Sequence, residues 1–388
     1  MLWINFIHLY QPANTKAEYI EQAVSLSYKR ILRALKENPQ ISLTINISGC
    51  LIKRLIEMGR EDIVLGFKEL YQRGQIELVS TVAYHPVLPL ISKSEIISQV
   101  KEQEEILNKY LGVSKKLPGF FIPEMAYSPQ VSQILAELGY KWIILDEIAF
   151  RGKIDEVDIS KVYKDKKSGL KIIFRSRRQS NTYVPDLIMK SLKEPKNSAD
   201  FFLTATDAEL YGLRHEDPTG ELEKVFSHSS LKTKTISQFI DSQSCEEITA
   251  VSCSWESLKE ELNNNEPYIL WNGKNNKIQT SLWKLANLAM TLLENNKDDE
   301  NYIWARWHLV RGLASCTFWW ASAKDFKHNF GPYAWNPDET ERGLEELVRS
   351  VRSLEKESSR KYKLKAENLY IQTKALIWKK HWLYYWKK

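Results

Sequence analysis

Apolar and polar positions along the first two-thirds of the chain follow two rhythms. Short runs that are apolar almost throughout predict strands: "LWINFIHLY" (2–10), "SLTINIS" (42–48), "IELVSTVAY" (76–84), "LPGFFIP" (117–123), "WIILDE" (142–147), "KIIFRS" (171–176) and "DFFLTAT" (200–206). Strands that lack strict alternation are those covered on both faces, as in a parallel sheet. Between many of these runs the period lengthens to that of a helix. In "SPQVSQILAELGYKW", Val131, Ile134, Leu135 and Leu138 fall at i, i+3, i+4 and i+7 and make one apolar face. Ser128 suits the N-cap, Pro129 the first helical position and Gly139 the stop.

Repeated strand–helix alternation predicts an α/β chain built on a closed or nearly closed parallel barrel. An open, doubly wound sheet is the alternative, but no G-x-G-x-x-G follows the first strand. From about residue 275 the strand rhythm stops. "SLWKLANLAMTLLENN", "ENYIWARWHLVRGLASCTFWWASA", "DETERGLEELVRSVRSLEKES" and the tail from about 360 predict long helices. The expected organisation is a barrel domain over 1–270 and a helical domain over 271–388, joined through 253–271. No repeat of fixed period is present, which argues against a solenoid.

Composition narrows the chemistry. Of 388 residues, 43% are hydrophobic and 27% charged, the balance of a soluble globular protein. The net charge of +6 is dispersed among nearly as many acids, so no nucleic-acid partner is expected. Cys50, Cys245, Cys253 and Cys316 show no C-x-x-C spacing, and neither structural zinc nor a disulfide framework is expected. "MLWINFIHLYQP" lacks the basic start and cleavage site of a signal peptide, and no apolar run is long enough to span a bilayer. A cytoplasmic protein without a membrane partner is the expectation. Thirteen Trp and eighteen Tyr are a heavy aromatic load, concentrated in the last third. Most will be core, but flat aromatic surfaces also stack on sugar rings.

In a parallel barrel, reactive groups stand at the C-terminal ends of the strands. Those positions hold His8, Tyr10 and Gln11, then Tyr84 and His85 with Glu77 near the start of that strand, then Glu124, then Asp146 and Glu147, and last Asp207 and Glu209. Singly, each acid reads equally well as a loop or capping residue. Glu124 and Asp207 together are two carboxylates at the ends of non-neighbouring strands, the pair that glycoside cleavage requires. Trp255 is a further cleft candidate, with simple packing as its plainer reading.

"HLYQP" (8–12), "GQIELVSTVAYHP" (74–86), "GFFIPEMAYS" (119–128), "TATDAELYG" (204–212) and "LASCTFWWAS" (313–322) resemble, in order, the five sequence regions of glycoside hydrolase family 57. The resemblance implies an incomplete (β/α)7 TIM-like barrel followed by a C-terminal helical domain that contributes to the substrate cleft. It also implies a retaining α-glucan enzyme, α-amylase-like, that needs no metal or organic cofactor. The alternatives within the family are 4-α-glucanotransferase, branching and α-galactoside activity. By position, Glu124 matches the nucleophile and Asp207 the general acid/base. His8, Gln11, Glu77, His85, Glu209, Trp255, Trp319 and Trp320 become substrate-site or supporting candidates. Tyr10 stands where many members carry a second His, and Cys316 where many carry an acid. Two rival readings remain: a metal-dependent carbohydrate deacetylase, for which "RHED" (214–217) is the nearest ligand set, and a catalytically silent glycan-binding protein.

Overall fold

The computed structural model describes residues 1–194, 199–324 and 332–386. Contacts divide the chain into two compact units, Met1–Ala83 with Ile97–Trp255, and Tyr84–Ile96 with Glu256–Lys388. The division therefore falls at 255/256 instead of 270/271, and the loop after the third strand belongs to the helical unit.

The first unit contains β1 (Leu2–Leu9), β2 (Leu43–Ile47), β3 (Ile76–Val79), β4 (Gly119–Phe120), β5 (Trp142–Asp146), β6 (Val162–Asp165), β7 (Lys171–Arg175), β8 (Phe201–Asp207), β9 (Lys232–Thr233) and β10 (Cys245–Ile248). Two sheets, β3-β2-β1-β8 and β10-β6-β7-β5-β4, are joined by a parallel bridge between Ser80 and Phe120. The continuous path β8-β1-β2-β3-β4-β5-β7 is parallel throughout and makes an incomplete seven-stranded barrel, as the alternating pattern predicted. All seven predicted runs contain a strand. Those at 76–84 and 117–123 are paired over only Ile76–Val79 and Gly119–Phe120. Glycine is required at 119, where a Cβ would stand 2.2 Å from the Trp142 indole.

The seam lies between β7 and β8. Antiparallel β6 occupies the outer edge of β7 at Lys171 and Ile172, so β8 cannot pair there. The turn after β7 bridges the gap instead: the Ser176 N–H donates to the Leu203 carbonyl (3.0 Å), and Ser180 Oγ accepts from the Ala205 N–H (3.1 Å). Inside, Ile4, Phe6, Val79, Ile144, Ile173, Leu203 and Ala205 form the core. The helix Ile236–Asp241, closed by a Thr235–Gln238 capping box, packs Ile236, Phe239 and Ile240 against it. The predicted cap at Ser128 is present, its side chain accepting from the Val131 N–H at the start of Pro129–Glu137.

The second unit is helical, with Lys277–Asn295, Tyr302–Gly312, Ser315–Trp319, Pro337–Ser353 and Glu357–Trp386 as its main elements. The stretch 300–323 reads as one helical pattern, but it breaks at Leu313–Ala314. There Pro86 and Ala314 form an antiparallel bridge, and the Ser315 N–H donates to the His85 carbonyl (3.0 Å). No helix among the described residues is long and apolar enough to cross a membrane.

Gly212, which ends "TATDAELYG", has φ +113°, and a Cβ there would lie 2.3 Å from the Leu26 carbonyl oxygen. Gly212→Ala should lower the unfolding free energy in urea by at least about 1 kcal/mol, because both the backbone angle and the approach resist a side chain. Unchanged stability would overturn that account.

Candidate active site

The site is assembled from the last residues of the barrel strands. Parallel register sets His8 of β1 beside Asn46 of β2 and beside Asp207 of β8. Asn46 Nδ2 donates to the Val79 carbonyl (2.8 Å), which leaves its Oδ1 to accept from His8 Nδ1 at 2.8 Å. The first three strands are thus tied together at the level of the mouth. The His8 ring also lies 4.5 Å from Phe121, across the barrel, and stacks on Tyr10 at 5.9 Å. Burial pushes the His8 imidazole down to about 4 from its usual 6.5, against an opposing pull from the Asp207 carboxylate. His8 is therefore a neutral donor and acceptor near neutral pH.

Glu124 follows β4 with φ +59°, and Met125 follows at +46°, two consecutive non-glycine residues in the left-handed region. Such backbone is costly and persists only where the surroundings impose it. Here the chain 253–255 imposes it. Tyr127 and Cys253 exchange backbone hydrogen bonds of 2.8 and 3.3 Å, and the Trp255 N–H donates to the Glu124 carbonyl at 3.0 Å. Trp255 also packs at 6.2 Å against Phe121 and under the Arg175 guanidinium at 5.1 Å. Its place beside Glu124 is a tertiary contact invisible to local pattern.

Asp207 ends β8 with its side chain 22% exposed, and its Oδ2 accepts from Arg214 Nη1 at 2.7 Å. The strand stops there, so Asp207 and Glu209 do not share a face as continued strand geometry would require. Glu209 is 2% exposed, with Oε1 accepting from Tyr28 Oη at 2.5 Å and Gln11 Nε2 at 2.8 Å. Desolvation raises its pKa, Arg214 opposes and Asp207 adds to the rise. The Glu209 carbonyl accepts from the Arg214 N–H at 2.7 Å, so the turn that buries Glu209 also aims Arg214 at Asp207. Tyr28 sits in a widened π-helical turn, Val24–Tyr28, where Ser27 Oγ donates to the Ala208 carbonyl at 2.6 Å.

Glu77 lies elsewhere. It pairs in register with Thr44, two residues below Asn46, toward the N-terminal end of the strands. Its carboxylate accepts from Thr44 Oγ1 (3.0 Å), the Ser237 N–H (3.1 Å) and Ser237 Oγ, and burial raises its pKa. These bonds fasten the helix that plugs the barrel floor, away from the mouth where the resemblance would put a sugar contact. Three further candidates belong to the helical unit. His85 has φ +58°, and its Nδ1 lies 3.2 Å from Ser315 Oγ. Trp319 ends the helix Ser315–Trp319 and Trp320 follows at its C-cap, with ring centroids 4.5 Å apart, and Trp319 Nε1 donates to the Pro332 carbonyl.

Sequence reasoning missed Arg214, Tyr28, Asn46 and Arg175. Arg214 lies in "RHED", where its spacing of seven from Asp207 carries no periodic signal. The other members of that motif are engaged differently: His215 stacks on Tyr183 at 3.9 Å, and Asp217 pairs with Arg30 at 2.6 Å. Among the described residues no group of three His, Cys, Asp or Glu could hold a metal ion.

The glycosyl hydrolase family 57 model matches residues 4–252. An alpha-amylase from Dictyoglomus thermophilum is 28% identical over 167 residues, which is 43% of this chain and 24% of that protein. The matched stretch thus spans about a quarter of the length of such relatives. A 4-alpha-glucanotransferase structure from Thermococcus litoralis superposes with TM-score 0.73 at 17% identity, covering 92% of this chain and 60% of that one. A branching enzyme structure from Thermococcus kodakaraensis superposes with TM-score 0.70 at 15% identity, covering 96% and 95%.

The His8 environment carries a pH dependence. Below about 6.5 the unfolded chain protonates this imidazole, while the folded chain resists until about 4. Stability from this site is therefore complete above 6.5 and is lost as pH falls, by about 3 kcal/mol at most. His8→Asn should lack that slope, gaining on the wild type between pH 7 and 4 in parallel urea titrations. Parallel curves would refute a buried neutral His8.

Proposed function

This chain belongs to glycosyl hydrolase family 57, and on that premise we propose that it is a retaining glycoside hydrolase acting on α-1,4-glucans. Glu124 is the nucleophile and Asp207 the general acid/base. The observation that carries this reading is the pair of carboxylates emerging from β4 and β8 at one end of the barrel, each on backbone held by its neighbours.

In the first step Glu124 attacks the anomeric carbon as the bond to the leaving sugar oxygen breaks, and Asp207 gives that oxygen its proton. In the second, water attacks the glycosyl ester, Asp207 takes the water's proton, and Glu124 leaves as a carboxylate. The Arg214 guanidinium, already on Asp207 Oδ2, counters the charge that appears there when the proton departs. Neutral His8, in register with Asp207, suits a sugar hydroxyl better than a proton transfer. Glu209 and Gln11 act as positioning residues for this corner, since both are committed to each other. His85, Trp319 and Trp320 are kept as sugar-binding candidates by residue type, the two indoles by stacking.

Hydrolysis is favoured over transfer because the connection 213–220 is pinned. Asp217 accepts from Arg30 and from Tyr183 Oη (both 2.6 Å), so this stretch is a fixed wall and supplies no closing lid.

Maltoheptaose incubated with wild-type protein should give shorter products only, released first as the α anomer by proton NMR. Asp207→Asn should reduce turnover by about 10²–10⁴-fold, the usual worth of a general acid, and Glu124→Gln should abolish it. Longer products would assign a transferase instead. An initial β anomer would require inversion, whose carboxylates stand about 6.5–9.5 Å apart to admit water, and would remove Glu124 as nucleophile.

A further inference from the structure

The helical unit contains a cavity of about 590 Å³, within the size range of small-molecule sites. It shares no residue with the Glu124 and Asp207 site. Among the described residues, five lysines line it, Lys274, Lys277, Lys324, Lys379 and Lys380, against one carboxylate, Glu266. That carboxylate already accepts from the Lys274 backbone N–H at 3.0 Å. Lys274 Nζ donates to the Asn264 carbonyl and Lys380 Nζ to the Ala323 carbonyl, the latter ammonium also lying 4.0 Å over the Trp335 ring. Among the described residues, Lys277, Lys324 and Lys379 meet no carboxylate. Elsewhere in the chain exposed lysines commonly do, as in Lys36–Glu69 and Lys116–Glu104. Like charges gathered around a concavity repel one another, and their field concentrates anions there.

A second feature adds to that field. The 19-residue helix Lys277–Asn295 begins at the cavity, with Lys277 and Ile278 among the lining residues. Its N-cap, Asn276, satisfies the Gln279 N–H (3.1 Å), while the first N–H groups of a helix have no partner within it. The positive end of the helix and the lysines therefore act on the same space.

The floor limits what the anion can be. Ile269, Ile278, Leu376 and Leu383 are apolar, and Tyr333 adds an aromatic ring. A fully hydrated inorganic ion gains nothing from such a surface, whereas a ring-bearing molecule covers it. A neutral sugar, conversely, carries no charge to use the field of five ammonium groups. We propose that this cavity binds a small phosphate monoester carried on a ring, a sugar phosphate or a nucleoside monophosphate. The dianionic phosphate sits among Lys277, Lys324 and Lys379, which as flexible point charges adapt to its oxygens, and the ring lies on the aliphatic floor.

Isothermal titration of the full chain with glucose 6-phosphate, AMP, inorganic phosphate and glucose tests this. One of the two monoesters should bind at least about tenfold tighter than inorganic phosphate, and more weakly as salt is raised. Whichever binds tighter identifies the source of the phosphate. The Lys277→Glu/Lys379→Glu double variant should lose roughly tenfold or more in affinity, with its melting temperature preserved because both side chains are exposed. Should that variant melt early, Lys324→Glu serves in its place. No heat with either monoester, equal affinity for inorganic phosphate, or affinity unmoved by charge reversal would each overturn the proposal.

Discussion

Asp146, at the end of β5, is 0% exposed and carries two arginines: Arg175 Nε at 2.8 Å and Arg177 Nη2 at 2.7 Å. Arg175 passes the constraint on. Its Nη1 donates to the Ala205 carbonyl on β8 (2.9 Å) and its Nη2 to the Trp255 carbonyl (3.3 Å). Trp255 in turn holds the Glu124 carbonyl, and Ala205 stands two residues before Asp207 on the same strand. One buried carboxylate thus connects the backbones that bear both proposed catalytic groups, and it does so across the seam where the barrel has no ladder. Ion clusters of this kind add little net stability, but removing one member leaves the others buried and unpaired, at about 3–5 kcal/mol. Its value lies in a specified geometry at the open edge.

The acids of this unit differ by surroundings and not by type. Asp207 is partly exposed beside the exposed Arg214 guanidinium, as suits the proton transfer proposed for it. Glu209, two residues on, is buried under Tyr28 and Gln11 and cannot reach a substrate without breaking those bonds. Glu77 is buried at the other end of the strands, where it fastens the plug helix. Identical chemistry thus serves as proposed proton carrier, as brace and as floor anchor. Local dielectric and hydrogen-bond partners decide which.

The helical unit uses aromatics in a comparable division. Trp283 stacks on Phe318 at 4.0 Å inside the helix pack, whereas Trp319 and Trp320, immediately following, keep part of their surface exposed. The run "TFWW" therefore packs with its first ring and presents the next two. His85 is fastened to the same helix start, which is why the loop after β3 belongs to this unit although it interrupts the barrel sequence.

Periodicity alone determined most of the architecture: seven parallel strands, the Ser128 cap and the long C-terminal helices are local patterns, and local patterns survive in the fold because burial rewards them. The residues at strand ends were legible for the same reason, since a strand that stops at a polar residue must deliver it to the barrel mouth. What the sequence could not carry were contacts between distant segments. β6 and β10 are short, and only pairing makes them strands, β6 on β7 and β10 on β6. The left-handed backbone at Glu124 depends on residues 253–255, and Arg214 reaches Asp207 only because a turn closed by Gly212 folds it back. The resemblance made Glu77 and Glu209 site candidates; tertiary packing fastened one to the plug helix and buried the other under Tyr28, because a carboxylate's role follows from what surrounds it.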